Sequence, residues 1–217
     1  MPGTRSTASR TPRRRTGARA ALLAVPVAIT GVLGAAAPAA AAPGVTGPAS
    51  LTCQGKGVDP AAEARYRTQA FIKAPLRTVW NLQTDVEAWP DWQKPAAPMT
   101  VRRLDTGPLR EHSRFQATVH VPPGPSTPPG TVVIASTVQQ LRHGKCIRWA
   151  GPADGTGYHI DGVHVWTFVE VPGGVLVRTE ESHRGRQADP RSDMGLEAWL
   201  SDLRTAAEAG QCGHRPQ

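Results

Sequence analysis

The sequence of 217 residues has no acidic residue before Asp59 and no apolar run long enough to be a good membrane span. Six arginines precede an apolar run at 20–34 and a small-residue block at 35–42, which is the order of a secretory signal peptide. The run is broken by Pro26 and two glycines and is shorter than the roughly 20 residues that cross a bilayer. We expect residues 1–42 to be a cleaved signal peptide of a secreted protein, using the general or the twin-arginine route. A retained N-terminal membrane anchor is the alternative.

Most of the basic excess belongs to this leader. The whole chain carries a net charge of +8, and removal of the six leader arginines lowers it to +2. Binding to nucleic-acid phosphates requires a basic patch, and none stands out in the remaining sequence. Nucleic acid is therefore not an expected partner.

Metal and catalytic motifs are also missing. The three cysteines form no CxxC or Cys/His ligand spacing, which argues against a structural zinc site. No GxSxG, HExxH, P-loop or dinucleotide fingerprint occurs, so no catalytic residue, metal or cofactor is assigned. In an oxidising compartment, one disulfide and one leftover cysteine are expected. We expect Cys53 to pair with Cys212 at the two ends of the domain, while pairing of Cys146 with either remains open.

The rest of the chain has room for one domain. Residues 43–62 are mostly Gly, Pro, Ala, Ser and Thr, a composition that predicts a flexible lead-in without a core. We place one domain at 63–212 and a short tail at 213–217.

Apolar periodicity predicts an α+β domain. A first strand at 66–74 precedes a helix at 76–82 and a short helical turn within 84–92 that Pro90 ends. Period-2 alternation and turn signals then predict strands at 99–104, 113–121, 131–141, 145–150, 162–170 and 175–183. The last element is a helix within 194–209 whose apolar face consists of Leu196, Leu200, Leu203 and Ala207.

The last two strands form a hairpin with unusual faces. On the first of them, His164, Trp166 and Phe168 share one face, and the opposite face is also apolar. Such a strand indicates a sheet that is covered on both sides or curled around a cavity. Glu180 and Glu181 are adjacent on the second strand, so at most one of them faces a cavity.

This hairpin and the start of the domain carry a family resemblance. The segments HVWTF and GGVLVRTEESHRG, preceded by IRWAG, resemble the polyketide cyclase/dehydrase-like branch of the START-like (SRPBCC) superfamily. The opening IKAP, then VW and WPDW, is similar to the same superfamily, and the resemblance covers nearly all of 66–210. It implies a helix-grip fold, in which a bent antiparallel β-sheet wraps around a long C-terminal helix and two short helices follow the first strand.

In that fold a ligand cavity lies between the sheet and the C-terminal helix. The side chains that we expect to line it are Arg114, Trp149, His164, Trp166, Phe168, Glu180 and Trp199.

The resulting hypothesis is a secreted protein that binds or transports a small hydrophobic or amphipathic molecule. The first alternative is a cyclase/dehydratase-like enzyme in which His164, Arg114 or Glu180 assists enolisation or loss of water. Secretion argues against it, because polyketide cyclases act on carrier-tethered intermediates in the cytoplasm. The second alternative is a cell-envelope interaction protein with a filled core and no ligand. The sequence assigns no oligomeric state.

Overall fold

The computed structural model describes residues 49–94, 98–121 and 130–209. The predicted signal peptide, the predicted tail and Cys212 lie outside these residues. Within the described ranges, no helix combines the length and the apolar character that a membrane crossing requires.

The described residues fold around one antiparallel sheet of seven strands in the order β1-β7-β6-β5-β4-β3-β2. From β2 to β7 each strand pairs with the next along the chain, and β1 pairs with β7. This topology confirms the predicted α+β helix-grip fold. The strands are β1 (Ala64–Ile72), β2 (Met99–Arg103), β3 (Arg114–Val121), β4 (Gly130–Arg142), β5 (Cys146–Gly155), β6 (Tyr158–Val171) and β7 (Gly174–Arg184).

The long C-terminal helix buries the apolar face that its sequence predicts. Two short helices, α1 (Leu76–Thr84) and α2 (Trp89–Trp92), follow β1, and α3 (Leu196–Ala209) follows β7. Because helix positions three and four residues apart share a face, four side chains of α3 enter the main core together. These buried residues are Leu196, Leu200, Leu203 and Ala207.

Pro90 starts a helix rather than ending one. A short 3₁₀ turn covers Val86–Ala88, and Pro90 lies in the first turn of α2. A proline is tolerated there because its missing N–H has no helical acceptor at that position. The predicted stop at Pro90 is therefore wrong.

Strand β5 runs farther than its sequence predicts. Residues 151–155 contain two glycines and a proline, which favour a turn, yet they pair with β6 from Gly151 opposite Gly162 to Gly155 opposite Tyr158. The turn is confined to residues 156–157, where Gly157 has a φ of +68°. Tertiary pairing thus overrides the low strand propensity of these residues.

The described part of the predicted flexible lead-in is packed. Residues 49–59, which we call the N-terminal strap, lie on the sheet face opposite α3. Leu51, Cys53 and Val58 are buried there against Val165. Hydrogen bonds also join the strap to the sheet: Leu51 N–H donates to Glu180, Asp59 N–H donates to the hydroxyl of Ser182, and the Arg148 side chain donates to the carbonyl of Gly57. The expectation of a lead-in without a core is wrong for these residues, because three well-placed apolar side chains suffice to cover an apolar strand face.

A disulfide joins the strap to the sheet. Cys53 is bonded to Cys146 at the start of β5, with their Cα atoms 5.4 Å apart. The predicted pairing of Cys53 with Cys212 is therefore wrong, and the alternative in which Cys146 pairs with Cys53 is the one found. The physical reason is the packed strap, which brings Cys53 beside Cys146 in one buried cluster.

We expect replacement of both Cys53 and Cys146 by serine to lower the melting temperature by roughly 5–15 °C. The bond closes a loop with a sequence separation of 93 residues, so its loss frees the unfolded chain substantially. Differential scanning calorimetry measures the shift. Peptide mapping of the unreduced protein is the control, and a peptide linking Cys53 to Cys212 would contradict the assignment.

Candidate functional site

A small cavity lies on the α3 side of the sheet, under the start of that helix. Its volume is about 200 Å³, and strands β4 to β7 form its floor. Apolar side chains supply much of the wall, and four titratable side chains also line it. The apolar group is Val132, Ile134, Ala153, Ile160, Met194 and Trp199, and the titratable group is Tyr158, His164, Glu181 and His183.

Two neighbouring glycines make room for this cavity. Gly151 on β5 and Gly162 on β6 lie opposite each other and both line the space. A Cβ on Gly151 would lie 1.8 Å from the carbonyl oxygen of Ala135, so only glycine permits this approach of β4. A Cβ on Gly162 would meet no atom closer than 3.6 Å. The first glycine is therefore required by the backbone, whereas the second leaves space that a side chain could fill.

The polar part of the wall is a buried carboxylate between two histidines. Glu181 is 4% exposed. Nε2 of His183 lies 2.6 Å from its Oε1, and Nδ1 of His164 lies 3.1 Å from its Oε2. The hydrogen-bond geometry is good only for His183, and Nδ1 of His164 has no hydrogen-bond partner. A buried carboxylate requires such donors, because an unpaired charge is costly in a medium of low dielectric.

The sheet and an aromatic neighbour fix the ring of His164. His164 lies opposite Trp149 on β5 and opposite Glu181 on β7. Its ring stacks on Trp149 with a centroid distance of 5.3 Å and an interplanar angle of 28°. Both the position and the plane of this imidazole are thus determined by its neighbours.

The histidines determine the charge of Glu181. Burial alone would raise its pKa, but the adjacent imidazole of His164 and the hydrogen bond from His183 outweigh burial and lower the pKa from 4.5 to about 2. Burial, followed by the charge of Glu181, raises the pKa of the Tyr158 phenol. At neutral pH the cavity therefore contains a carboxylate beside an uncharged phenol.

Two of the predicted cavity residues, Glu180 and Arg114, point away from the cavity. Glu180 points toward the strap, where it accepts hydrogen bonds from the Ser50 hydroxyl and the Leu51 N–H. It also forms an ion pair with Arg65 at 2.8 Å. Alternation allows only one of the two adjacent glutamates to face the cavity, and that residue is Glu181. Arg114 is exposed, because its neighbour Phe115 takes the buried face of β3.

Three other predicted residues belong to the core. Trp149, Trp166 and Phe168 lie on the predicted face but are packed in the main apolar cluster rather than lining the cavity. Phe168 contacts Trp80 edge to face at a centroid distance of 5.2 Å. His164 and Trp199 do line the cavity, as expected.

The sequence contained a signal for the missed residues Glu181 and His183. Pro172 and Gly173 form a two-residue turn between β6 and β7, and a turn of that length fixes the register of a hairpin. Counting back from the turn places Glu181 opposite His164 and His183 opposite Gly162. The register set by the turn therefore identifies Glu181, rather than Glu180, as the glutamate on the same face as His164.

Comparison with known proteins gives one family match. The family described as "Polyketide cyclase / dehydrase and lipid transport" matches residues 63–209. No curated protein sequence matches the chain significantly.

Several solved structures share the fold. A protein from Chromobacterium violaceum is 17% identical with a TM-score of 0.55, and the match covers 66% of this chain and 96% of that one. A hypothetical protein from Helicobacter pylori is 16% identical with a TM-score of 0.52, over 75% and 98% of the two chains. The di-domain ARO/CYC StfQ from the steffimycin biosynthetic pathway is 19% identical with a TM-score of 0.52, over 67% and 45%. At these identities the likeness concerns the fold alone.

We expect Glu181→Gln to be less stable than the wild type at neutral pH, with a difference that shrinks on acidification. The folded-state pKa is lower than the unfolded one, so the contribution of the carboxylate is complete above about pH 4.5 and is lost as the pH falls toward 2. The groups that face it are His164, His183 and Tyr158. Thermal unfolding of both proteins between pH 7 and pH 3 measures the difference.

The matched control is Glu170→Gln, which changes an exposed glutamate on β6. We expect that variant to follow the wild type at each pH. A stability difference for Glu181→Gln that stays constant with pH would contradict the role assigned to the carboxylate.

Proposed function

Since this chain belongs to the polyketide cyclase/dehydrase and lipid transport family of the START-like superfamily, we propose that it is a secreted protein that binds a small hydrophobic or amphipathic molecule. The binding site is the cavity under α3. The observation that carries the proposal is that this cavity combines an apolar wall with one polar cluster around the buried Glu181, which is the usual composition of a small-molecule site.

The size of the cavity limits the ligand. Drug-sized ligands occupy pockets of about 300–1,000 Å³, whereas this cavity has about 200 Å³. An engineered apolar cavity of about 150 Å³ binds benzene. The ligand is therefore about the size of one six-membered ring with a substituent, and a two-chain lipid does not fit in the cavity as it stands.

Two features support export from the cytoplasm. Disulfides persist in oxidising compartments and are rare in the cytosol, and Cys53 is bonded to Cys146. The leader pattern within residues 1–42 points in the same direction. We therefore also propose that residues 1–42 are removed on export.

We expect Gly162→Val to weaken the binding of benzyl alcohol and toluene, two one-ring probes, by about tenfold or more. The new side chain enters the cavity, because Gly162 lines it and shares a face with His164. Isothermal titration calorimetry compares the variant with the wild type. Gly162→Ala, which adds one methyl group without a backbone clash, is expected to give an intermediate loss.

The matched control is Val169→Ile, which adds a methylene to the exposed side of the same strand. It is expected to bind as the wild type does. Failure of the wild type to bind either probe, together with an empty protein in native mass spectrometry after purification from secreting cells, would favour an envelope protein without a ligand.

One observation favours a second candidate, an enzyme that uses acid–base chemistry. The carboxylate of Glu181 orients the imidazole of His183 at 2.6 Å, and a carboxylate–histidine pair is a common arrangement for a general base. A base in this cavity could remove a proton from the carbon next to a ketone, which is the first step of enolisation.

We expect an enzyme of this kind to accelerate hydrogen–deuterium exchange at the α-carbons of cyclohexanone, a ketone of one-ring size. Proton NMR in D₂O follows the exchange for the wild type, for Glu181→Gln and for Glu170→Gln. Acceleration that Glu181→Gln loses and Glu170→Gln keeps would support the enzyme. Exchange no faster than in buffer would leave binding as the function.

A further inference from the structure

We propose that the cavity recognises a one-ring molecule through a hydroxyl group that donates a hydrogen bond to an imidazole nitrogen of His183 or His164. The inference rests on the proposed binding function and specifies the chemical class of its ligand.

The carboxylate of Glu181 determines which nitrogen of His183 carries the proton. An ionised carboxylate can only accept hydrogen bonds, so Nε2 of His183, at 2.6 Å, must be the donor. In a neutral imidazole the other nitrogen is then an acceptor. In the neutral form of His183, the Nδ1 atom therefore presents a lone pair.

His164 is oriented in the same sense. Its Nδ1 lies 3.1 Å from Oε2 of Glu181 without the alignment of a hydrogen bond, but a lone pair on that nitrogen would face the negative carboxylate, so the neutral ring carries its proton on Nδ1. Nε2 is then the acceptor, and a Cβ built on Gly162 would lie 3.8 Å from it. This nitrogen thus borders the space that Gly162 leaves open.

Both acceptor nitrogens are unused. Among the described residues, neither Nδ1 of His183 nor Nε2 of His164 has a hydrogen-bond partner, and both rings line the cavity. A polar atom in a mostly apolar cavity binds best to a group of the complementary kind. The complement of an imidazole lone pair is a donor such as a hydroxyl.

The charge of Glu181 excludes the competing ligand classes. A ligand carboxylate beside the histidines would approach a second carboxylate in a medium of low dielectric, where like charges repel strongly. An ammonium group would be attracted to Glu181, but His183 already occupies one oxygen and His164 covers the other. A neutral donor meets neither obstacle.

The shape of the cavity favours a flat ring. The wall includes the indole of Trp199, whose Nε1–H donates to Oε1 of Gln83 at 3.1 Å. The same indole packs edge to face on Trp89 with a centroid distance of 4.8 Å. A rigid aromatic wall is suited to the face of another ring, and the volume of about 200 Å³ accommodates one ring.

Three para-substituted toluenes test the inference, because they share a ring and differ in one group. Para-cresol carries a hydroxyl, para-xylene carries a methyl of similar size, and para-toluate carries a carboxylate. Isothermal titration calorimetry at pH 7.5 should show para-cresol binding about tenfold or more tightly than para-xylene. Para-toluate should bind more weakly than para-cresol.

Histidine NMR gives a second readout that does not depend on a variant folding. In ¹⁵N-labelled wild-type protein, His183 should show a protonated Nε2 and an unprotonated Nδ1. The unprotonated nitrogen of His183 or His164 should shift when para-cresol is added. His159→Gln, which removes an exposed histidine outside the cavity, is the assignment control and should bind para-cresol as the wild type does.

The outcomes separate this inference from the function on which it rests. Equal binding of para-cresol and para-xylene would overturn the hydroxyl inference while leaving small-molecule binding in place. Preferred binding of para-toluate, or a proton on Nδ1 of His183 whether or not Nε2 is also protonated, would overturn it as well. If none of the three probes binds, the proposed function fails together with the inference.

Discussion

Two adjacent carboxylates on β7 are buried on opposite faces of one sheet, and each requires its own donors. Glu180 and Glu181 are both 4% exposed. Burial of an unpaired carboxylate is prohibitive, so the chain must provide partners on both sides. On one face the strap and Arg65 supply them, and on the other His164 and His183 do. The position of the strap and the polar part of the cavity both follow from this requirement.

The fold could be predicted because its signals are local and periodic. The apolar face of α3 and the alternation of β6 each appear in short windows of sequence, and the structure confirms them. The errors arose where the answer depends on distant contacts. Residues 49–59 have the composition of a linker and become ordered by packing on Val165. The pairing of Cys53 followed from that packing, which composition does not reveal. The cavity itself depends on two glycines that meet only when β5 pairs with β6.

The family and the site are separate levels of description. The shared fold places α3 across the sheet and allows a cavity beneath it, whereas this chain's own residues determine the contents of that cavity. Large buried side chains such as Trp166 and Phe168 fill the neighbouring part of the described core, and the cavity lies beside Gly151 and Gly162. The few residues around this space decide the chemistry. Their register was fixed by the two-residue turn of the last hairpin.

The strap shows that the unit of homology and the unit of folding differ in this protein. The family match begins at residue 63, whereas the packed chain includes Leu51 and Cys53. An expression clone that starts at the homology boundary would delete the donors of Ser50 and Leu51 to Glu180 and one half of the disulfide. It would also expose Val165 to solvent. For recombinant work the N-terminal boundary should therefore follow the packing, at or before residue 49.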